Sequence, residues 1–169
     1  MTYHPDIHHR RSLRLRHHDY SHAGAYFITI CTQSRKCLFS GSTHNAPRPN
    51  EAGEMLLHWY RELARKFSGI HCDAFVAMPN HVHFIVIFSE NPKNPSLPNV
   101  VQWFKTMTTN GYMQGTKQFG WPSFTNKLWQ RNYYERAIRT EDELNITREY
   151  IALNPENWHR DPDNPKKLS

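Results

Sequence analysis

Cysteine is scarce, and the three present, Cys31, Cys37 and Cys72, contain no CxxC pair and cannot all pair within one chain. They read as reduced thiols of a cytoplasmic protein. Long hydrophobic runs are also missing. The longest, Phe84 to Phe88, is far too short to cross a bilayer, and the polar, basic N-terminus lacks the apolar stretch of a secretion signal. No membrane is expected, and the expected location is cytoplasmic. The 7 glycines form no Gly-rich phosphate loop, so no small-molecule cofactor is expected. Acids are the minority charge: 15 against 21 Lys and Arg, a net +6, which favours a polyanionic partner such as nucleic acid.

What is present suits one compact domain of 169 residues, with 38% hydrophobic and 13% aromatic content to build its core. Residues 1–20 form a basic arm in this reading. His8 to His18 (HHRRSLRLRHH) shows no apolar periodicity, and Arg10, Arg11, Arg14 and Arg16 are placed to contact phosphates or merely to solubilise the chain. Tyr26 to Thr32 is β-rich and predicts a strand, and Lys36 to Phe39 a short second one. Leu56, Trp59, Tyr60, Leu63 and Phe67 recur at helical spacing within Glu51 to Phe67.

His71 to Met78 and His81 to Phe88 predict two strands joined by the tight turn Pro79-Asn80, an antiparallel hairpin. Ser96 caps a second helix whose apolar face runs through Leu97, Val100, Val101, Phe104 and Met107. Leu128 to Arg139 reads as an edge or final strand. Thr140 and Glu143 form a capping box for a last helix that Pro155 ends at Asn154. Residues 159–169 read as a polar, disordered tail. Together these elements predict an α+β fold, an antiparallel sheet with helices packed on it.

His81 and His83 project from the same face of one strand, about 6–7 Å apart along the chain, and can grip one divalent cation. The alternative is two ordinary polar residues beside a turn. Tyr150 and Asn154, spaced i and i+4, share a helix face and can offer a nucleophile and a third ligand. From spacing alone an ordinary amphipathic helix, with Tyr150 half buried and Asn154 as its polar end, is the better reading.

The string Met78-Pro79-Asn80-His81-Val82-His83 resembles the HUH motif (His, hydrophobic, His). Trp129-Gln130-Arg131-Asn132-Tyr133-Tyr134-Glu135 and Tyr150-Ile151-Ala152-Leu153-Asn154-Pro155 resemble the second half of the same signature, and Arg14-Leu15-Arg16 through Tyr26-Phe27 resembles its opening. On these segments the chain is similar to REP-associated tyrosine transposases, which are like single-tyrosine insertion-sequence transposases. The resemblance implies a ferredoxin-like or RRM-like HUH endonuclease fold. It also implies His81, His83 and Asn154 holding Mg²⁺ or Mn²⁺, and Tyr150 as nucleophile, with Tyr133 and Tyr134 as rivals. The implied substrate is single-stranded DNA near a hairpin of repetitive extragenic palindromes, cut through a 5′-phosphotyrosine. Arg10, Arg11, Arg14, Arg16, Lys105, Arg131 and Arg136 are the expected DNA contacts, with Tyr20 or Trp129 available either for base stacking or, equally, for the core. Competing readings are a hairpin-binding module that no longer cleaves, a metallonuclease using water, and a replication initiator or relaxase. Monomer and homodimer both stay open.

Overall fold

In the computed structural model, residues 23–41, 46–91 and 93–165 are described. Seven main elements follow in chain order: β1 (Gly24–Cys31), α1 (Glu51–Lys66), β2 (Ile70–Met78), β3 (His81–Phe88), α2 (Leu97–Phe119), β4 (Tyr134–Ile138) and α3 (Glu141–Leu153). The strands form one antiparallel sheet in the order β2-β3-β1-β4. β3 lies between β1 and β2 although it follows both, the split βαβ arrangement of a ferredoxin-like sheet. The expected α+β architecture is observed.

Strand alternation sorts the side chains into two cores. Tyr26, Ile28 and Ile30 of β1, with Val82, Phe84, Val86 and Phe88 of β3, bury against Leu56, Tyr60 and Leu63 of α1 and Val100, Val101 and Phe104 of α2. Phe27, Ile85 and Ile138 face the other way and pack with Leu144 and Ile151 of α3. The continuous apolar run of β3 therefore marks a strand covered on both faces. Its parity also decides that His81 and His83 stand on the α3 side.

The helix ends have visible causes. Asn50 Oδ1 accepts from Gly53 N at 3.0 Å, and Thr140 Oγ1 accepts from Glu143 N at 3.1 Å. A Cβ at Gly53 would lie 2.6 Å from the Phe39 carbonyl oxygen, so a larger residue would push α1 off the loop beneath it. The predicted capping box is offset by one residue: Glu143 Oε2 takes the N–H of Arg139, at 2.9 Å, instead of Thr140.

β2 carries a bulge between Cys72 and Phe75, so Asp73 and Ala74 share the space opposite Ile85. Asp73 consequently meets α3, where Arg148 Nε and Nη2 donate to its two oxygens at 2.8 and 2.6 Å. That fork ties the helix carrying Tyr150 to the sheet.

Four expectations need correction. Lys36–Phe39 is not a strand: Gln33–Arg35 forms a 3-10 turn, and the N–H groups of Leu38 and Phe39 donate to the Pro79 carbonyl at 2.7 and 3.1 Å. The buried hairpin turn needs those donors more than the sheet needs another strand. The final strand is only Tyr134–Ile138, because Leu128 and Trp129 enter the core. Trp129 Nε1 donates to Thr108 Oγ1 at 3.0 Å, which removes this ring from base stacking. The tail is folded as far as it is described: Trp158–Arg160 is a 3-10 turn, and Asp161 and Asn164 are buried. Tyr20, Arg10, Arg11, Arg14 and Arg16 lie outside the described residues.

Candidate active site

The hairpin turn Pro79-Asn80 orients the first histidine of the pair. Asn80 Nδ2 donates to the carbonyls of Arg35 and Asp163 at 3.0 and 2.7 Å, which fixes the orientation of the amide. Its Oδ1 therefore faces His81 Nδ1, at 2.9 Å, and that nitrogen must carry the proton. His81 Nε2 is left with a lone pair. It points at His83 Nε2, 3.0 Å away. His83 Nδ1 lies 2.8 Å from Thr29 Oγ1 on the paired residue of β1. A hydroxyl both donates and accepts, so Thr29 serves either tautomer of His83, including the one whose Nε2 is free to bind a cation.

Both rings are buried, His81 at 0% and His83 at 5% exposure. Burial lowers both pKa values, His81 well below the usual imidazole value and His83 to about 3. At neutral pH the pair is uncharged, the form in which imidazole acts as a ligand. Cys31, paired with His81 across the sheet, is a different case: burial pushes its thiol up to about 12, so it stays protonated and is a poor ligand.

Tyr150 of α3 comes down beside the pair. Its ring centroid lies 5.4 Å from His83 and 5.9 Å from Phe27, and Phe27 stacks on His83 at 5.3 Å. Tyr150 is half-buried and lines an open cleft of about 280 Å³ with Ile146, Glu149, Leu153, Asn154 and Asn157. Asn154 caps the C-terminal end of the helix and is buried, and its Oδ1 has no hydrogen-bond partner. A buried acceptor left unpaired is costly, and a cation is one thing that would satisfy it. Of the rival tyrosines, Tyr133 is turned away from the histidines, whereas Tyr134 lies on the Tyr150 side of the sheet. Tyr133 belongs to the core on the far face of the sheet, and Tyr134 meets Phe27 at 6.4 Å.

One residue escaped the sequence reading. Asp161 brings a carboxyl oxygen to 3.7 Å from His81 Nε2, and His81, His83 and Asp161 offer ligand atoms all within 4.8 Å of one another. It stands beyond the last helix, in a stretch without periodicity, so no spacing rule singles it out.

Against known protein families, residues 20–154 match the description Transposase IS200-like. The chain belongs to that family. As an IS200-like transposase it is an enzyme of DNA cleavage and transfer. An uncharacterized protein of Haemophilus influenzae is 32% identical over 178 residues, spanning 94% of this chain and 95% of its own. Another protein of that organism, described as a candidate REP-associated tyrosine transposase, is 24% identical over 81% of this chain and 73% of its own. Among solved structures, a REP-associated tyrosine transposase bound to a REP hairpin superposes with a TM-score of 0.59 at 18% identity. That match covers 86% of this chain and 73% of the other. A candidate transposase from Deinococcus radiodurans gives 0.50 at 20% identity, covering 81% and 93%. Both solved structures share the fold.

In this IS200-like transposase the histidines and Tyr150 meet within a single chain. Of the basic residues expected at DNA, Lys105, Arg131 and Arg136 lie among the described residues. Lys105 Nζ donates to the carbonyls of Gln130 and Arg131 at 2.9 and 3.1 Å, and Arg136 donates to Thr147 Oγ1 at 2.9 Å. Both therefore brace the fold, while the Arg131 side chain is exposed. No helix among the described residues is long and apolar enough to cross a membrane.

Proposed function

We propose that this transposase cleaves and rejoins single-stranded DNA beside a hairpin of the repetitive extragenic palindrome type, with Tyr150 as nucleophile. The observation that carries this reading is the Tyr150 ring standing 5.4 Å from His83 at the edge of an open cleft. The Tyr150 oxygen attacks phosphorus in line, and the bond from phosphorus to O3′ breaks. O3′ takes up a proton and leaves as a 3′-hydroxyl, the phenolic proton passes to solvent, and the 5′-phosphate stays on Tyr150. Attack by a 3′-hydroxyl reverses these steps and reseals the strand, because the phosphotyrosine conserves the energy of the broken diester.

His81, His83 and Asn154 would hold Mg²⁺ or Mn²⁺, and the orphaned Asn154 oxygen with two neutral imidazoles suits such an ion. When bound, the cation draws charge from a non-bridging phosphate oxygen and so lowers the repulsion that an anionic diester presents to a nucleophile. Phe27 holds His83 by stacking, and the Asp73–Arg148 fork holds α3, so the nucleophile and the histidines keep their relative positions. Exposed Ile146 and Leu153 give the cleft an apolar rim on which an unpaired base can rest. Arg131 and the arm arginines Arg10, Arg11, Arg14 and Arg16 would supply phosphate contacts.

The test is incubation with Mn²⁺ and end-labelled hairpin DNA carrying single-stranded flanks, followed by denaturing electrophoresis. An SDS-stable adduct is expected, lost in Tyr150→Phe and kept in Tyr133→Phe and Tyr134→Phe. Cleavage without an adduct would point to water as the nucleophile, and hairpin binding without cleavage to a binding module.

A further inference from the structure

The C-terminal turn that covers the histidine pair is built and anchored. Arg35 makes an ion pair with Asp163 at 3.0 Å, Asn80 Nδ2 donates to the Asp163 carbonyl, and Asn164 Nδ2 donates to the Trp158 carbonyl at 3.0 Å. The Trp158 ring lies 6.1 Å from that of His81. Arg35 (φ 54°) and Ser34 (φ 57°) both occupy the left-handed region, an unfavourable backbone for residues other than glycine that is kept where surrounding contacts demand it. Here it places the Arg35 guanidinium against residues 162–163.

The turn delivers a carboxyl group to a buried place. Asp161 Oδ1 accepts from Asp163 N at 2.7 Å, while Oδ2 faces His81 Nε2 at 3.7 Å. That nitrogen carries the lone pair, since the Asn80 amide claims the proton at Nδ1. Two electron-rich atoms thus face each other beyond hydrogen-bond reach. Ligands that meet at one ion at ~2.1 Å stand ~3.0–3.5 Å apart, close to the spacing found here.

We infer that Asp161 is a further ligand of the divalent cation, carried to His81 and His83 by the anchored turn Trp158–Asn164; the inference rests on the cation reading above. Asp161 lies seven residues beyond the segment matched by the family, which ends at Asn154. An anionic oxygen added to neutral imidazoles tightens the hold on a hard ion, and the mixed nitrogen and oxygen set favours Mn²⁺ over Mg²⁺.

The experiment titrates Mn²⁺ into the full-length, metal-free protein, with the free ion followed by electron paramagnetic resonance and melting temperature recorded with and without Mn²⁺. Asp161→Asn is expected to weaken Mn²⁺ binding by ~10-fold or more and to shrink the Mn²⁺-induced rise in melting temperature. Asp161→Glu should recover most of the affinity, and Arg35→Gln should lose a smaller part as the turn is released. Asp161→Asn binding Mn²⁺ like the parent chain would overturn the inference while leaving the cation reading intact. Failure of the parent chain to bind Mn²⁺, or binding undiminished in His81→Ala, would overturn both. The metal-induced shift is read against each variant's own metal-free melt, so a change in basal stability does not hide the result.

Discussion

Exchanging the Asn80 amide NH₂ for oxygen, in Asn80→Asp, tests how the hairpin turn is tied to the site. Nδ2 now donates to the carbonyls of Arg35 and Asp163 at 3.0 and 2.7 Å in a fully buried position. The substitution removes two hydrogen bonds of about 1 kcal/mol each and sets an acceptor against two acceptors, at about 1–3 kcal/mol more. A total loss of about 3–5 kcal/mol corresponds to a fall of about 6–20 °C in melting temperature for a chain of this size. The introduced carboxyl can relieve the clash only by binding a proton, so its folded-state pKa is raised above its unfolded value. The deficit is therefore largest at neutral and alkaline pH and shrinks as pH falls toward that raised value. The other oxygen still accepts from His81 Nδ1, so His81 keeps its tautomer. Asn80→Ala, by contrast, releases His81 and should cost ~10–100-fold in Mn²⁺ affinity as well. Calorimetric melts at pH 7.5 and 5.5 decide the matter. An Asn80→Asp melt within about 2 °C of the parent at pH 7.5 would refute the bonding scheme.

Loss of the Asp73–Arg148 fork in Asp73→Asn should lower the urea midpoint and the rate of adduct formation together, since the fork holds α3 to β2. The Arg148 hydrogen bonds hold the Asp73 carboxyl below its usual range. Its contribution is thus complete above about pH 4 and disappears as pH falls through the lowered value, so the parent and variant midpoints should converge in acid. Replacing Arg10, Arg11, Arg14 and Arg16 with serine should flatten the dependence of log affinity on log salt by up to ~3 for single-stranded DNA, read by fluorescence anisotropy. An unchanged slope would remove the arm from the interface.

Much of the fold was legible because its signals are local. The alternation of Tyr26 to Cys31, the apolar run after His83, the Pro79-Asn80 turn and the Ser96 and Thr140 caps each specify an element from neighbouring residues. The His81–His83 pair was legible for the same reason, because strand parity alone puts both on one face. The misreadings arose where tertiary demands prevail. Leu38 and Phe39 have the composition of a strand, but their N–H groups serve the Pro79 carbonyl. Trp129 suits a base stack or a core equally by composition, and only the packing around it shows that it fills the core. Asp161 gains its meaning only from Arg35 and Asn80, more than 80 residues away along the chain. No window of local sequence contains that relationship.

Whether Tyr150 carries the strand after cleavage is decided by locating the covalent bond. Adduct formed with Mn²⁺ and hairpin DNA would be digested with nuclease and protease and its peptides sequenced by mass spectrometry. A nucleotide remnant on Tyr150, joined through a 5′-phosphate, is expected. A remnant on Tyr133 or Tyr134, or cleaved DNA with no modified peptide, would contradict Tyr150 as the nucleophile.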